Sequence, residues 1–462
     1  MIVPLALALP LADGFNEAAL QKLTAAEARE DIKALRTTLE KCHPGIYRYN
    51  PKSQMDRAFD EAERSIRQPM TSVQVFRIAS KLVADMHCVH SGAILPEAVI
   101  TEIKTKTPLF PIHVKVLRGK VYAYHAIGCE QYAGKEIRSI NGMPAKSIMA
   151  QINEMKGHDG DVRTSTDSRM SKGWAFSEHL ITCCGLYAPY RVEFAGSSAP
   201  VRLNGELEPK LSAIENTKYP TPKQGDINGS IRFEDGGKIA ILKVIVFNGP
   251  LDKFFNEAFA KIAENHSKAL IVDVRNNGGG ADALGKDLFA HFALKPFPYY
   301  RDLVLNDDHF EFVDGQKLDV PKGLIVKGKD GYFHATGHPN WGTQQPQKPT
   351  FTGKVFVLIN GGCFSTTGEF LSTTYQQKRA TFIGEESGAG LQGNNSGPTA
   401  EVTLPHSKVQ VVVPLMRYEM AVTSKSIRGI MPDRPVTYTI QEFMSGRDKE
   451  MEVALQLARQ IH

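Results

Sequence analysis

The 462-residue sequence contains no internal repeat, no low-complexity tract and no block of like charge longer than a few residues. Its 55 basic and 50 acidic residues leave a net charge of +5 spread along the chain. That balance supplies neither the basic face a nucleic acid needs nor the basic cluster that holds a protein to an anionic membrane. Cysteine is scarce. The six (Cys42, Cys88, Cys129, Cys183, Cys184 and Cys363) show no CxxC spacing, which argues against a zinc site. Neighbours such as Cys183 and Cys184 rarely bridge one another, so the set fits buried free thiols and leaves the redox compartment open. No apolar run approaches the roughly 20 residues that a membrane-spanning helix requires. Met1 to Ala12 has the length of the apolar part of a secretory signal but lacks the basic residues that normally precede it. Residues 1–15 are therefore expected to be a shortened signal segment, the alternative being an ordinary N-terminal strand or tail.

With 42% hydrophobic residues, a chain of this length can bury two or three cores. The most informative stretch is Val355 to Gly393. A continuous apolar run, Val355 to Ile359, reads as a buried strand. Two glycines and a sharp Cys363-Phe364-Ser365 step follow, then Thr366 to Gln377 at helical spacing. A strand, a tight turn, a hydroxyl and a helix are how a chain presents a nucleophile where helix N–H groups stabilise developing negative charge. The same pattern also describes a plain serine N-cap.

Upstream, Ala269-Leu-Ile-Val-Asp-Val-Arg-Asn-Asn-Gly-Gly-Gly280 is a second buried strand, ending in consecutive glycines that let backbone approach a ligand closely. One element able to donate N–H groups and one carrying a hydroxyl are the minimum for acyl transfer. Taken in order, LIVDVRNNGGG, GGCFSTTGEF, KRATFIGEE and GIMPD resemble the tail-specific (C-terminal-processing) serine peptidase family, including its tricorn-like and retinoid-binding-protein-like branch. The resemblance spans most of the chain. It implies a polypeptide substrate, hydrolysis without metal or cofactor, and a crotonase-like ββα core within an α/β (α+β overall) chain. A periplasmic or secreted location follows from the same likeness.

The expected organisation is an N-terminal helical region (16–100), a PDZ-like or small α+β insert (105–203), a linker (204–230), a peptidase core (231–445) and a C-terminal helix (446–462). Thr24-Ala-Ala-Glu27 has capping-box spacing, and Ile32, Leu35 and Leu39 continue one face. Helices are predicted over Gln54–Arg67, Ser72–Ala84 and Ala145–Met155, and strands over Ile112–Leu117, Val121–Ala126 and Tyr190–Phe194. His43, in a His-Pro-x-x-Tyr turn, reads as structural. The polar run after Asp161 reads as a loop, and Pro296–Pro349 as a long excursion over the site. Gly134 to Gly142 resembles the element that marks PDZ-like modules, which bind peptides by adding a strand. An α+β insert without a groove is the equal alternative.

The family uses a serine with either a lysine or a histidine base. No lysine occurs between Arg379 and Ala400, where the lysine would fall. Asp85-Met-His87-Cys88 resembles the family's Asp-x-His-Thr element, so His87 is the expected base and His90 the lesser candidate. Two histidines alone, without a nearby third ligand, do not make a metal site. Ser365 is the expected nucleophile, since Phe364-Ser-Thr-Thr-Gly-Glu-Phe370 resembles Phe-Ser-Ala-Ala-Glu, with Thr366 the competing hydroxyl. The oxyanion donors implied are the N–H of Thr366 and one from Gly278 or Gly279. The acid partner departs from the family pattern. The matching place falls at Ser426, and Asp85, Glu369, Glu385 and Glu419 remain open. The reading from another class is a non-catalytic relative that binds peptides or small hydrophobic molecules.

Overall fold

The structure, a computed structural model, describes residues 20–219, 228–321 and 323–461. The expected signal segment, residues 1–15, lies outside the described residues, as does part of the expected linker. Among the described residues no helix is long and apolar enough to cross a membrane.

Four apolar runs, Ile239–Val244, Ala269–Asp273, Lys354–Ile359 and Ala380–Gly384, lie side by side and parallel in a six-stranded sheet. Their register places Leu242, Val272, Val357 and Phe382 in one row. Gly229–Glu234 closes one edge antiparallel, and Arg434–Pro435 the other in parallel. Runs this continuously apolar are expected where both faces of a parallel sheet are covered. Ala240, Leu242, Val272 and Val357 pack with Phe255, Phe259, Leu288 and Phe370 from helices Leu251–Glu264, Asp282–Ala290 and Thr366–Gln376. Ile241, Ile271, Phe356 and Leu358 pack instead on Met451, Ala454 and Ala458 of the C-terminal helix Lys449–Ala458.

A second sheet pairs Tyr300–Leu305 with Gln410–Met420, and the latter with Asn395–Thr403. The excursion expected over Pro296–Pro349 therefore supplies a strand of its own. Gly92–Ile94, just after the His87 segment, pairs with Gln410–Val412 and so fastens the N-terminal helices to this sheet. Those helices are Ala25–Cys42, Lys52–Ser65 and Ser72–Ala84. The Thr24/Glu27 capping box forms as the spacing predicts, and Thr71 with Gln74 makes another.

Between these parts stands a hairpin, Ile112–Leu117 with Lys120–Ala126, and a small sheet in the order Met143–Pro144, Ile137–Ile140, Tyr190–Phe194, Val201–Leu203. Two expectations need correction. The polar run after Asp161 contains a helix, Thr164–Met170, and the stretch 204–230 contains another, Glu208–Lys218. Neither carries an apolar stripe: the second buries Leu211 alone, and the first buries Ser165 and Thr166 beside Met170. Helices without an amphipathic repeat leave no periodic signal in the sequence.

Candidate active site

Ser365 stands immediately before helix Thr366–Gln376 with φ 56° and ψ −132°, a conformation that L residues rarely adopt. The turn that holds it is tightly determined. Asn360 accepts the N–H of Cys363 at its carbonyl and that of Gly362 at Oδ1, and Glu385 Oε1 accepts the N–H of Gly361 at 3.1 Å. Phe364 N–H and Cys363 Sγ reach across to the carbonyls of Asn277 and Val274. Ser365 occupies the N-cap place, yet its side chain makes no capping bond. Thr366, the competing hydroxyl, is buried, and its Oγ1 donates to the Gly280 carbonyl at 2.7 Å.

The glycines after strand Ala269–Asp273 press against this turn. A Cβ on Gly279 would fall 2.6 Å from Ser365 Cβ and 3.0 Å from Thr366 N, and its φ is +105°. Only glycine fits there. Its N–H, however, is donated to Asn277 Oδ1 at 2.9 Å. The N–H groups of Gly278 and Thr366 have no acceptor among the described residues. Thr366 begins the helix, where N–H groups lack intrahelical partners. Of the two glycines expected as oxyanion donors, Gly278 is thus the one with its N–H uncommitted.

His87 follows helix Ser72–Ala84 and also has a positive φ, 56°. Its Nδ1 lies 2.7 Å from the Gly160 carbonyl. A carbonyl only accepts, so Nδ1 carries the proton and Nε2 presents a lone pair, the tautomer a general base needs. Burial, with Arg163 nearby, holds the imidazole below its usual range. His158, which the sequence did not single out, donates to the same carbonyl at 2.6 Å, with ring centroids 4.7 Å apart. Arg163 Nη1 donates to His158 Nε2, and burial pushes that ring down to about 3. Among the described residues, no hydrogen bond joins His87 to Ser365.

None of the expected acids orients His87. Asp85 pairs with Lys81 at 3.2 Å, Glu385 holds the serine turn, and Ser426 Oγ accepts the N–H of Arg428. Glu419 is engaged by Arg301 and Arg417. Glu369, one turn into the Ser365 helix, is fully buried; it accepts from Tyr300 Oη at 2.8 Å and Asn394 Nδ2 at 3.0 Å. Burial and the charge of Asp282 push it up to about 7. His90 is partly buried, its Nδ1 covered and unpartnered among the described residues, and His43 is a turn residue whose Nδ1 accepts the Gly45 N–H.

The segment Gly157–Thr164 connects the two halves of the site. Asp159 accepts N–H groups from Val89, beside His87, and from Gly390 in the loop after Glu385. The Thr164 carbonyl lies 2.3 Å from where a Gly361 Cβ would be, and Asp161 N–H reaches the Ile427 carbonyl. Beside it opens a cleft of about 360 Å³ lined by Asn50, Lys81, Asp85, His87, His158 and Arg163. All six cysteines are buried and unpaired. Among the described residues, the group able to hold a metal ion lies elsewhere: His113 and His125 of the hairpin with Glu215 of helix Glu208–Lys218.

A model of peptidase family S41 matches residues 238–436. No curated protein matches the chain by sequence. Among solved structures, mature CPAF complexed with lactacystin is similar with a TM-score of 0.63 at 14% identity, over 94% of this chain and 98% of that one. Mature CPAF alone gives 0.60 at 13%, over 94% and 96%. A protein from Parabacteroides merdae, described as a provisional peptidase, gives 0.50 at 15%, over 94% and 96%. At these identities the likeness establishes a shared mixed α/β fold.

Proposed function

We propose that this chain, whose residues 238–436 match the model of peptidase family S41, is a serine-type peptidase that cleaves polypeptides with Ser365 as nucleophile and His87 as general base. The observation that carries this reading is the strained Ser365 conformation at a helix N-terminus, packed against the glycine loop at Gly279, with the N–H groups of Gly278 and Thr366 uncommitted among the described residues. His87 Nε2 takes the Ser365 Oγ proton as the oxygen attacks the scissile carbonyl. The two N–H groups receive the oxyanion, and removing one such donor costs about 10²–10³ in rate in comparable sites. The His87 imidazolium returns its proton to the leaving amine. Water activated by the same imidazole then hydrolyses the acyl-enzyme. The Gly160 carbonyl does the orienting that an acidic residue does in other triads, fixing the Nδ1–H tautomer.

Proton transfer requires the two side chains within about 2.6–3.2 Å, and such contacts are often longer before substrate binds. We take the Gly157–Thr164 segment, which touches both halves, as the part that brings them together on substrate binding. The core is read as crotonase-like. Residues 105–203 are read as a PDZ-like module in which the short edge strands Met143–Pro144 and Val201–Leu203 offer places for an added peptide strand. The periplasmic or secreted assignment belongs to the same proposal.

The second reading, a binding relative without catalysis, draws on the missing hydrogen bond between His87 and Ser365. A serine-directed fluorophosphonate probe separates the two. Labelling of wild type that is lost in both Ser365→Ala and His87→Ala supports the peptidase mechanism. An unlabelled but folded wild type would leave the binding reading, and labelling that survives Ser365→Ala would point to another nucleophile.

A further inference from the structure

Outside the hydrolytic site, the hairpin module gathers two histidines and a carboxylate. His113 and His125 are cross-strand partners in the ladder between Ile112–Leu117 and Lys120–Ala126. Directly opposed residues in an antiparallel pair share a face, so the imidazoles stand side by side, stacked 5.8 Å apart. Helix Glu208–Lys218 brings Glu215 over them. Its Oε1 lies 2.6 Å from His113 Nδ1 and 3.1 Å from His125 Nδ1. The three ligand atoms all fall within 4.8 Å of one another. The cluster is mostly shielded from water, with side-chain exposures of 9% for His113, 18% for His125 and 19% for Glu215.

Its surroundings are rigid and aromatic. Trp174 meets His113 edge-on at 3.8 Å, and Tyr219 stacks on His125 at 3.7 Å and 3°. Trp174 Nε1 also donates to Ser212 Oγ, one turn before Glu215, which steadies the helix against the hairpin. His113 Nε2 is buried with no partner among the described residues. A cation that takes the Nδ1 lone pair requires the ring proton on Nε2, and no hydrogen-bond donor there holds that atom as an acceptor.

We propose that His113, His125 and Glu215 form a binding site for one divalent transition-metal ion of the zinc class, held by the two Nδ1 atoms and a carboxylate oxygen of Glu215. Two imidazoles and one carboxylate suit zinc, cobalt, nickel or copper rather than magnesium or calcium, which take oxygen ligands. Three protein ligands leave a fourth position for water. Tetrahedral ligands about 2.0–2.1 Å from an ion stand roughly 3.3 Å apart. At present Glu215 Oε1 is hydrogen-bonded to His125 Nδ1 at 3.1 Å and lies 2.6 Å from His113 Nδ1 in a close contact, and a small outward shift of Glu215 admits the ion. Bound there, it cross-links a helix to a hairpin about ninety residues earlier and stabilises the folded chain by mass action. No metal was expected from the sequence, because the cysteines lack CxxC spacing and the His87/His90 pair lacks a nearby third ligand.

The test uses the full-length protein, stripped with a chelator and titrated with Co²⁺ alone while the visible absorbance is followed. Four-coordinate Co²⁺ bound by nitrogen and oxygen absorbs far more strongly than the aqueous ion. The expected result is one saturating transition at a single ion per chain, reversed by Zn²⁺ and accompanied by a higher Tm. Glu215→Gln and His125→Gln each remove a ligand while keeping side-chain volume. Each is expected to weaken binding beyond the about 10–100-fold that loss of an outer partner costs. Circular dichroism checks that they fold, and Glu215→Gln alone decides if His125→Gln does not. A wild type without the transition, or variants with unchanged affinity, would overturn the proposal and leave a hydrogen-bonded cluster. The readout is independent of hydrolysis at Ser365.

Discussion

Gly279 stands so close to Ser365 that a methyl group on its α-carbon would lie 2.6 Å from the serine Cβ. The glycine loop and the Ser365 turn are in contact at the one residue type that permits it. Gly279→Ala combines this clash with a side chain at φ +105°, a conformation costing on the order of 1–3 kcal/mol by itself. The variant is expected to lose kcat/KM by at least about 10²-fold, with a lower Tm. Wild-type turnover in Gly279→Ala, measured on a peptide substrate, would show that the loop does not define the site.

The strain at Ser365 makes a prediction of opposite sign. Glycine adopts φ 56° and ψ −132° with little penalty, so Ser365→Gly removes strain together with the nucleophile. We expect no labelling by fluorophosphonate and a stability gain of roughly 1 kcal/mol in denaturant unfolding, relative to Ser365→Ala. Equal stabilities of the glycine and alanine variants would mean that the turn stores no strain in the serine.

What was legible in the sequence follows from what repeats. The parallel strands and their helices announce themselves because covering a sheet on both faces demands uninterrupted apolar runs, as in Ala269–Asp273 and Lys354–Ile359. The tight turn at Ser365 was legible because the glycines it needs stand beside it in sequence. The orientation of His87 was not. It depends on the Gly160 carbonyl, 73 residues away, and a backbone carbonyl carries no residue identity. His158 was missed for the same reason, since only the fold brings it to that carbonyl. The His113–His125–Glu215 cluster needed a strand register and a helix that lacks an amphipathic stripe, so neither its pairing nor its third member could be read from spacing.

Because burial lowers the His87 pKa, the base stays neutral to a lower pH than an ordinary histidine would, and kcat/KM should fall on the acid side only below 6.5. Asp85 raises that value through its charge. Asp85→Asn should therefore shift the acid limb to still lower pH and leave kcat at pH 8 within a few-fold. An orienting acid behaves differently, its amide replacement costing about 10⁴. A loss of that size in Asp85→Asn would give Asp85 the role assigned here to the Gly160 carbonyl.

Glu369 offers a test of stability against pH. Burial and the Asp282 charge raise it from the usual 4.5 to about 7, so between these values the folded chain holds a proton that the unfolded chain has released. Its contribution is fully present below pH 4.5 and is lost as pH rises through 7, by about 3 kcal/mol for a shift of this size. Glu369→Gln mimics the protonated acid, keeps partners in Tyr300 and Asn394, and has no charge to bury. Relative to wild type, the variant should gain stability between pH 5 and pH 8, approaching that 3 kcal/mol, in urea unfolding at the two values. A difference between the two proteins that stays constant with pH would mean that Glu369 is ionised in the folded chain throughout, with its charge met by Tyr300 and Asn394.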